Sequence, residues 1–193
     1  MPGAGHELIS RAFFSQIIIR IASLAGGHPG YSVMGGGSMR FSVPGVRSKE
    51  VDESIIPSTR SPGQWPSLVI EMGYSESLSH LRIEAAWWLE NSQGATRMVI
   101  IFRLKRDPNS IWIEVWKVVT NTSQVARARP PFSATCTHGW DIDEHGIVTP
   151  LVAPIIPYLT VFDTPHIGGR DIVFSADDLT TFAVHVFAML PPC

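Results

Sequence analysis

Three acidic side chains carry the chemistry this sequence offers. Asp52 precedes the apolar run Ser54-Ile55-Ile56-Pro57, Glu71 ends the run Ser67-Leu68-Val69-Ile70, and Glu84 lies in the helix-like stretch that follows. Carboxylates are hard oxygen donors and suit Mg²⁺, which asks for only one or two of them beside water and phosphate. A carboxylate directly after Leu-Val-Ile belongs near a core, where an unpaired charge is costly. Glu71 therefore needs a metal, a cation or a proton, and Arg82 is a cation partner the sequence offers. Buried acids of this kind tend to mark clefts. Asp52 also suits the plainer role of solvating the start of a strand.

The elements that must position these acids are legible from periodicity. Ile9, Phe13, Ile17, Ile21 and Leu24 recur at helical spacing over residues 7–25, and Gly26-Gly27 stops that helix. Tyr31 to Met34 and Met39 to Val43 read as two short strands turning about Gly35-Gly36-Gly37. The triple glycine lacks the spaced Gly-Lys-Ser/Thr of a phosphate loop, so a hairpin turn is the expectation. Asp52 starts the next strand, and Ser67 to Glu71 is a buried one. Ser77 to Asn91 is a helix whose apolar face is Leu78, Leu81, Ala85, Trp88 and Leu89. Glu84 borders that face. Arg97 to Leu104 and Ile111 to Val118 are strands joined by the turn Asp107-Pro108-Asn109-Ser110. Residues 121–150 are polar and broken. Short strands are expected at Tyr158 to Phe162 and Asp171 to Phe174. A last helix follows over Ala176 to Leu190, with Ser175 as its N-cap and Asp177 and Asp178 in its first turn.

Several of these segments, in this order, carry a resemblance. They are a helix opening Gly5-His6-Glu7, then Lys49-Glu50-Val51-Asp52, then Trp65-Pro66-Ser67-Leu68-Val69-Ile70-Glu71. Ser75-Glu76-Ser77-Leu78 and Leu81-Arg82-Ile83-Glu84-Ala85-Ala86-Trp87-Trp88-Leu89 complete the set. Together they resemble the PD-(D/E)XK nuclease superfamily, most closely its Uma2-type and fungal restriction-endonuclease-like branches, over residues 5–118. The resemblance implies an α/β fold, a mixed β-sheet flanked by helices, to which residues 119–193 add a C-terminal strand-helix extension. All 193 residues are expected to form a single domain. It also implies that Asp52 and Glu71 hold Mg²⁺ and that Glu7 lines the same cleft, where Arg82 and Trp88 are further candidate lining residues. The family's lysine stands two residues after the glutamate, where this chain has Gly73. In Uma2-type relatives it moves to the following helix, near Glu84. A glutamate cannot offset phosphate charge there, although it can act as a base or a third metal ligand.

Composition weighs on the choice. Charged residues are 17% of the chain, hydrophobic residues 45%, and net charge is −2. An average soluble domain is roughly 25% charged. Surplus apolar surface points to a large core plus a pocket or a subunit interface, and so to a possible homodimer. Nucleic-acid binders usually carry a basic face. The clusters here, Arg97, Arg103, Lys105 and Arg106, and Arg127 with Arg129, read as solvated strand ends. Trp87 and Trp88 could stack bases, but Trp88 reads as core. His138, Asp141, Asp143 and His145 have the composition of a metal cluster and the pattern of an ordinary turn, and the turn is preferred. Two cysteines, Cys136 and Cys193, make no disulfide framework, so an intracellular, cytoplasmic protein without a membrane span is expected. The arginine bias of residues 1–48 is faintly like a transit peptide, but its helical periodicity favours structure.

Three function classes follow. With the lysine absent and the net charge negative, the leading expectation is a metal-independent pocket enzyme, of isomerase or cyclase type, acting on an apolar small molecule. A Mg²⁺-dependent nuclease using Asp52, Glu71 and Glu84 on nucleic acid is the alternative. A non-catalytic binding or scaffold domain is the third.

Overall fold

The stripe Ile9, Phe13, Ile17 and Ile21 forms one fully buried face of helix α1 (Ala4–Leu24). Each such side chain contributes roughly 1.5–3 kcal/mol by leaving water. This is a computed structural model, and it describes residues 4–24, 33–61, 63–74, 77–120, 132–164 and 170–190, with side chains from Leu8 onward. The Gly26-Gly27 stop, the Arg127/Arg129 cluster, Cys193 and the Glu7 side chain lie outside that description.

After α1 come four short strands: β1 (Val33–Gly35), β2 (Arg40–Val43), β3 (Arg47–Glu50) and β4 (Glu53–Pro57). Strand β5 (Leu68–Tyr74), helix α2 (Leu78–Asn91) and strand β6 (Met98–Lys105) form a crossover, which leaves β5 and β6 parallel. Ser77 caps α2, its hydroxyl accepting from the His80 backbone N–H. Strands β7 (Ser110–Thr120), β8 (Phe132–Ile142) and β9 (Val148–Thr149) add antiparallel neighbours. The result is a seven-stranded mixed sheet in the order β1-β4-β5-β6-β7-β8-β9. The remaining elements are β10 (Ile155–Ile156), α3 (Tyr158–Phe162), β11 (Ile172–Val173) and α4 (Ala176–Met189). The chain is thus α/β, with a mixed sheet flanked by helices.

The sheet has a core on each face. On one, α1 and α4 pack Phe13, Phe174 and Phe182 against Ile55, Ile70 and Phe102. On the other, α2 and the β2–β3 hairpin pack Leu81, Trp88, Phe41 and Val51 against Val69, Val99 and Ile101. Among the described residues no helix is long and apolar enough to cross a membrane.

Three segments differ from the reading of the sequence. The glycine run does not join a hairpin of its two flanking strands. β1 pairs with β4, while β2 pairs with β3 in a separate two-stranded sheet. The glycines serve close approach instead: a Cβ on Gly36 would stand 2.6 Å from Ser54 Oγ, and one on Gly35 2.9 Å from the Phe14 ring. Residues 132–142, within the stretch read as broken, form a long strand. Its outward positions, among them Thr135 and Thr137, are polar and exposed, which hides the pattern. Residues 158–162 form a single helical turn rather than a strand. Pro157 stands at its N-cap, and Asp163 closes it in the left-handed region at φ 61°. A short apolar run cannot be assigned by periodicity alone.

Candidate functional site

The β5 segment Leu-Val-Ile-Glu-Met alternates between the two cores, so Glu71 points to the α2 side with Val69. Glu53 pairs with Ile70, which brings Asp52, one residue earlier, beside Glu71. An Asp52 carboxylate oxygen accepts from the Met72 backbone N–H at 2.8 Å and is anchored by it. Glu84 projects from α2 onto the same side. The structure therefore brings Asp52, Glu71 and Glu84 together. Glu71 and Glu84 are 5% and 6% exposed, deep enough that each must find a cation or a proton.

A lysine supplies the cation. Lys49 reaches over from β3 in the covering hairpin and places Nζ 2.8 Å from Glu71 Oε2 and 2.9 Å from Glu84 Oε2. Its ammonium lies 5.6 Å from the centre of the Trp88 ring, within cation–π range. Trp88 donates its indole N–H to Glu71 Oε1 at 2.6 Å. Arg47, two residues along the same strand, approaches Glu84 Oε1 at 2.9 Å. That approach lies off the hydrogen-bonding direction and leaves the oxygen buried without a donor.

The lysine position implied by the resemblance is closed for a steric reason. A Cβ on Gly73 would lie 2.7 Å from Leu81 Cδ1, so α2 sits directly on that part of β5. A side chain there would force Leu81 to shift, and the cation arrives from the hairpin instead. Sequence reasoning placed Lys49 in a matching segment without giving it a role. Its signal was that it is one of only three lysines and stands three residues before Asp52.

Arg82 does not serve Glu71. Its guanidinium grips Glu114 of β7, with Nη2 at 2.6 Å from Oε1. Trp112 and Trp116, two residues to either side on β7, each donate an indole N–H to Glu114 at 2.9 Å. Glu114 shares the α2 side of the sheet with Glu71, one strand apart through Ile101. This second buried acid is fully clasped and gives α2 a fixed seat. Trp88 is wholly buried and lines the cluster as Glu71's anchor. His138 and Asp141 lie on β8, and only Asp143 and His145 stand in a turn, where Asp143 Oδ1 accepts from the backbone N–H groups of His145 and Ile147.

The electrostatics follow from three carboxylates and two cations. Burial raises the Glu71 carboxyl to about 7, with Lys49 pulling against the rise and the Asp52 charge adding to it. Burial also opposes the Lys49 charge, but Glu71 and Glu84 outweigh it and hold the ammonium above its ordinary value. Glu84 feels the same burial and is nevertheless held low by Lys49 and Arg47. Lys49, flanked by two carboxylates, stays charged. Glu71, which shares that ammonium with Glu84, is the group short of positive charge near neutrality.

Carboxylate oxygens are the donors a divalent cation would meet here. A carboxylate has about four acceptor positions, and Trp88 and Lys49 occupy two on Glu71. Among the described residues no group of three or more ligating side chains forms, so Mg²⁺ here would rest on Asp52 and Glu71 and complete its shell from water and phosphate. Compared with protein-family models, with curated proteins and with solved structures, the chain finds no match.

Proposed function

We propose that this protein hydrolyses phosphodiester bonds with the help of a divalent cation, on a nuclease-like arrangement of Asp52, Glu71 and Lys49. The observation that carries the reading is the Lys49 ammonium between Glu71 and Glu84, beside Asp52. Of the three grounds for expecting an apolar small molecule, Lys49 answers the absent lysine, while the net charge of −2 and the 17% charged content stand.

Asp52 and Glu71 would hold Mg²⁺, which supplies polarisation of the phosphate and a more acidic attacking water. Asp52 is kept in place by the Met72 N–H and Glu71 by the Trp88 indole. Lys49 has three N–H donors, and Glu71 and Glu84 take two, which leaves a third for a phosphate oxygen. Glu84 holds that ammonium in position and is itself steadied by Arg47. In the reaction a water oxygen bonds to phosphorus and the bond to the ester oxygen breaks. The proton released by water ends on the departing alcohol.

The test is cleavage of duplex DNA, single-stranded DNA and RNA with Mg²⁺ or Mn²⁺, comparing the native protein with Asp52→Asn and Lys49→Met. Native cleavage should fall by about a hundredfold or more in each variant. No cleavage of any substrate with either metal, or equal cleavage by Asp52→Asn, would overturn the reading.

A further inference from the structure

A cavity of about 530 Å³ lies near the N-terminal ends of β5 and β6, away from Glu71 along the strand. Thr59, Arg60, Gln64, Trp65, Arg97 and Asp163 line it. Its size is that of sites that take small ligands, but its lining is polar and charged. Three segments distant in sequence converge there: the loop before β5, the residue before β6 and the end of α3.

The two arginines are held before any ligand arrives. Arg60 makes a bidentate pair with Asp163 and donates to the Trp65 carbonyl. Arg97 donates through Nη1 to Asp163 and to the Leu159 carbonyl. Asp163 is in turn fixed as the C-cap of α3. Among the described residues lining the cavity, two guanidiniums face one carboxylate, an excess of one positive charge. Among the described residues Nε and Nη2 of Arg97 take no hydrogen-bond partner, and its side chain is 31% exposed. That edge of a guanidinium is a two-pronged donor matched to an oxyanion. Prior fixing lowers the entropic cost of binding.

The cavity also has an aromatic wall. Phe41 stacks on Trp65 at 5.3 Å, and Trp87 and Trp88 pack on it at 5.5 and 5.7 Å. Trp65 is only half-buried and is among the residues that line the cavity. Gln64 is exposed; its side-chain carbonyl accepts from the Ser61 N–H, leaving its amide NH₂ as a donor at the rim. An oxyanion fork, an indole and an amide in one cavity match a phosphate ester joined to a planar heterocycle.

We infer that this cavity binds a nucleoside phosphate, either a free mononucleotide or one unit of a single strand. The inference stands on the cavity's own geometry. It would give the proposed phosphodiester reaction a place to grip its substrate, yet it does not need the metal site.

The experiment is calorimetry in chelator, so that no metal contributes, using 5′-AMP, adenosine, inorganic phosphate and a short oligothymidylate on the native protein. AMP should bind at sub-millimolar concentration, with adenosine and phosphate each clearly weaker. Arg97→Ala should weaken AMP by about ten- to a hundredfold, the loss of hydrogen bonds to a charged group. Thr59→Asp, an exposed loop substitution that leaves the fold untouched, should weaken it at least about tenfold by like charge. Asp52→Asn should leave binding unchanged, which separates this site from the proposed active site. If the oligonucleotide binds with the same Arg97 and Thr59 dependence while AMP does not, the source is a strand and the inference holds. If neither ligand saturates at millimolar concentration, or binding ignores both variants, the inference is wrong even if the protein cleaves nucleic acid.

Discussion

Replacing Lys49 by methionine keeps the unbranched stem of the side chain, removes the ammonium at its end and so removes its charge. The ammonium now serves two carboxylates that are 5% and 6% exposed, so its loss leaves both short of a cation. Breaking a buried ion pair by removing one partner costs about 3–5 kcal/mol. Glu84 retains Arg47, which argues for the lower end, about 3 kcal/mol at pH 8. In a chain of this size that is a fall of roughly 6–12 °C in melting temperature. The loss should depend on pH. Glu71 already sits at about 7 when folded, above its ordinary value of 4.5. An acid raised on folding binds its proton more tightly in the native state, so stability falls as pH rises from the unfolded value through the folded one. Without Lys49 the folded value rises further. The Lys49→Met penalty should therefore be largest at pH 8 and shrink to about 1 kcal/mol or less near pH 5, where Glu71 holds a proton. Adding Glu71→Gln removes the charge for good and should recover about 2 kcal/mol at pH 8, a coupling typical of groups in contact. Urea unfolding of the native protein, the two single variants and the double variant at both pH values measures this. A Lys49→Met variant as stable as the native protein at pH 8, or a double variant no more stable than Lys49→Met, would refute the reasoning.

Three further outcomes are expected. Gly73→Ala should cost about 1–3 kcal/mol in urea unfolding, because its Cβ would meet Leu81 at 2.7 Å, and Leu81→Ala in the same chain should relieve part of that strain. At Asp163, burial alone would raise the carboxyl, but the Arg60 and Arg97 guanidiniums hold it below the usual aspartate range. An acid lowered on folding contributes stability above its unfolded value and loses it as pH falls through the folded one. The advantage of the native protein over Asp163→Asn should thus be full at neutral pH and disappear in acid, below roughly pH 4 in thermal melts. Ser175 and Asp178 form a reciprocal cap at the start of α4, so Ser175→Ala should cost about 1 kcal/mol in chemical denaturation.

Much of the secondary structure could be read directly from residue patterns. The helical stripe from Ile9 to Ile21, the cap Ser175, and the buried strand ending in Glu71 each declare themselves within a few residues. So did the need of Glu71 for a partner, because an acid after three buried apolar residues cannot remain simply solvated. The partner itself was misjudged. Arg82 is near in sequence, but from the second turn of α2 it faces Glu114 on β7.

What the sequence by itself determined is whatever depends on local periodicity and backbone chemistry: the buried face of α1, where α2 and α4 begin, which strands are buried, and which acids lie beside them. Tertiary structure alone decided which cation meets which acid. Lys49 reaches Glu71 only because the β2–β3 hairpin folds over the sheet, and Gly73 is closed only because α2 lands on it. It also decided that β1 pairs with β4, that residues 158–162 turn into a helix, and that Arg60, Arg97 and Asp163 share one cavity. Propensity acts within one or two turns of chain. Strand pairing and ion partnership instead depend on register and packing between segments far apart in sequence, which no short window contains.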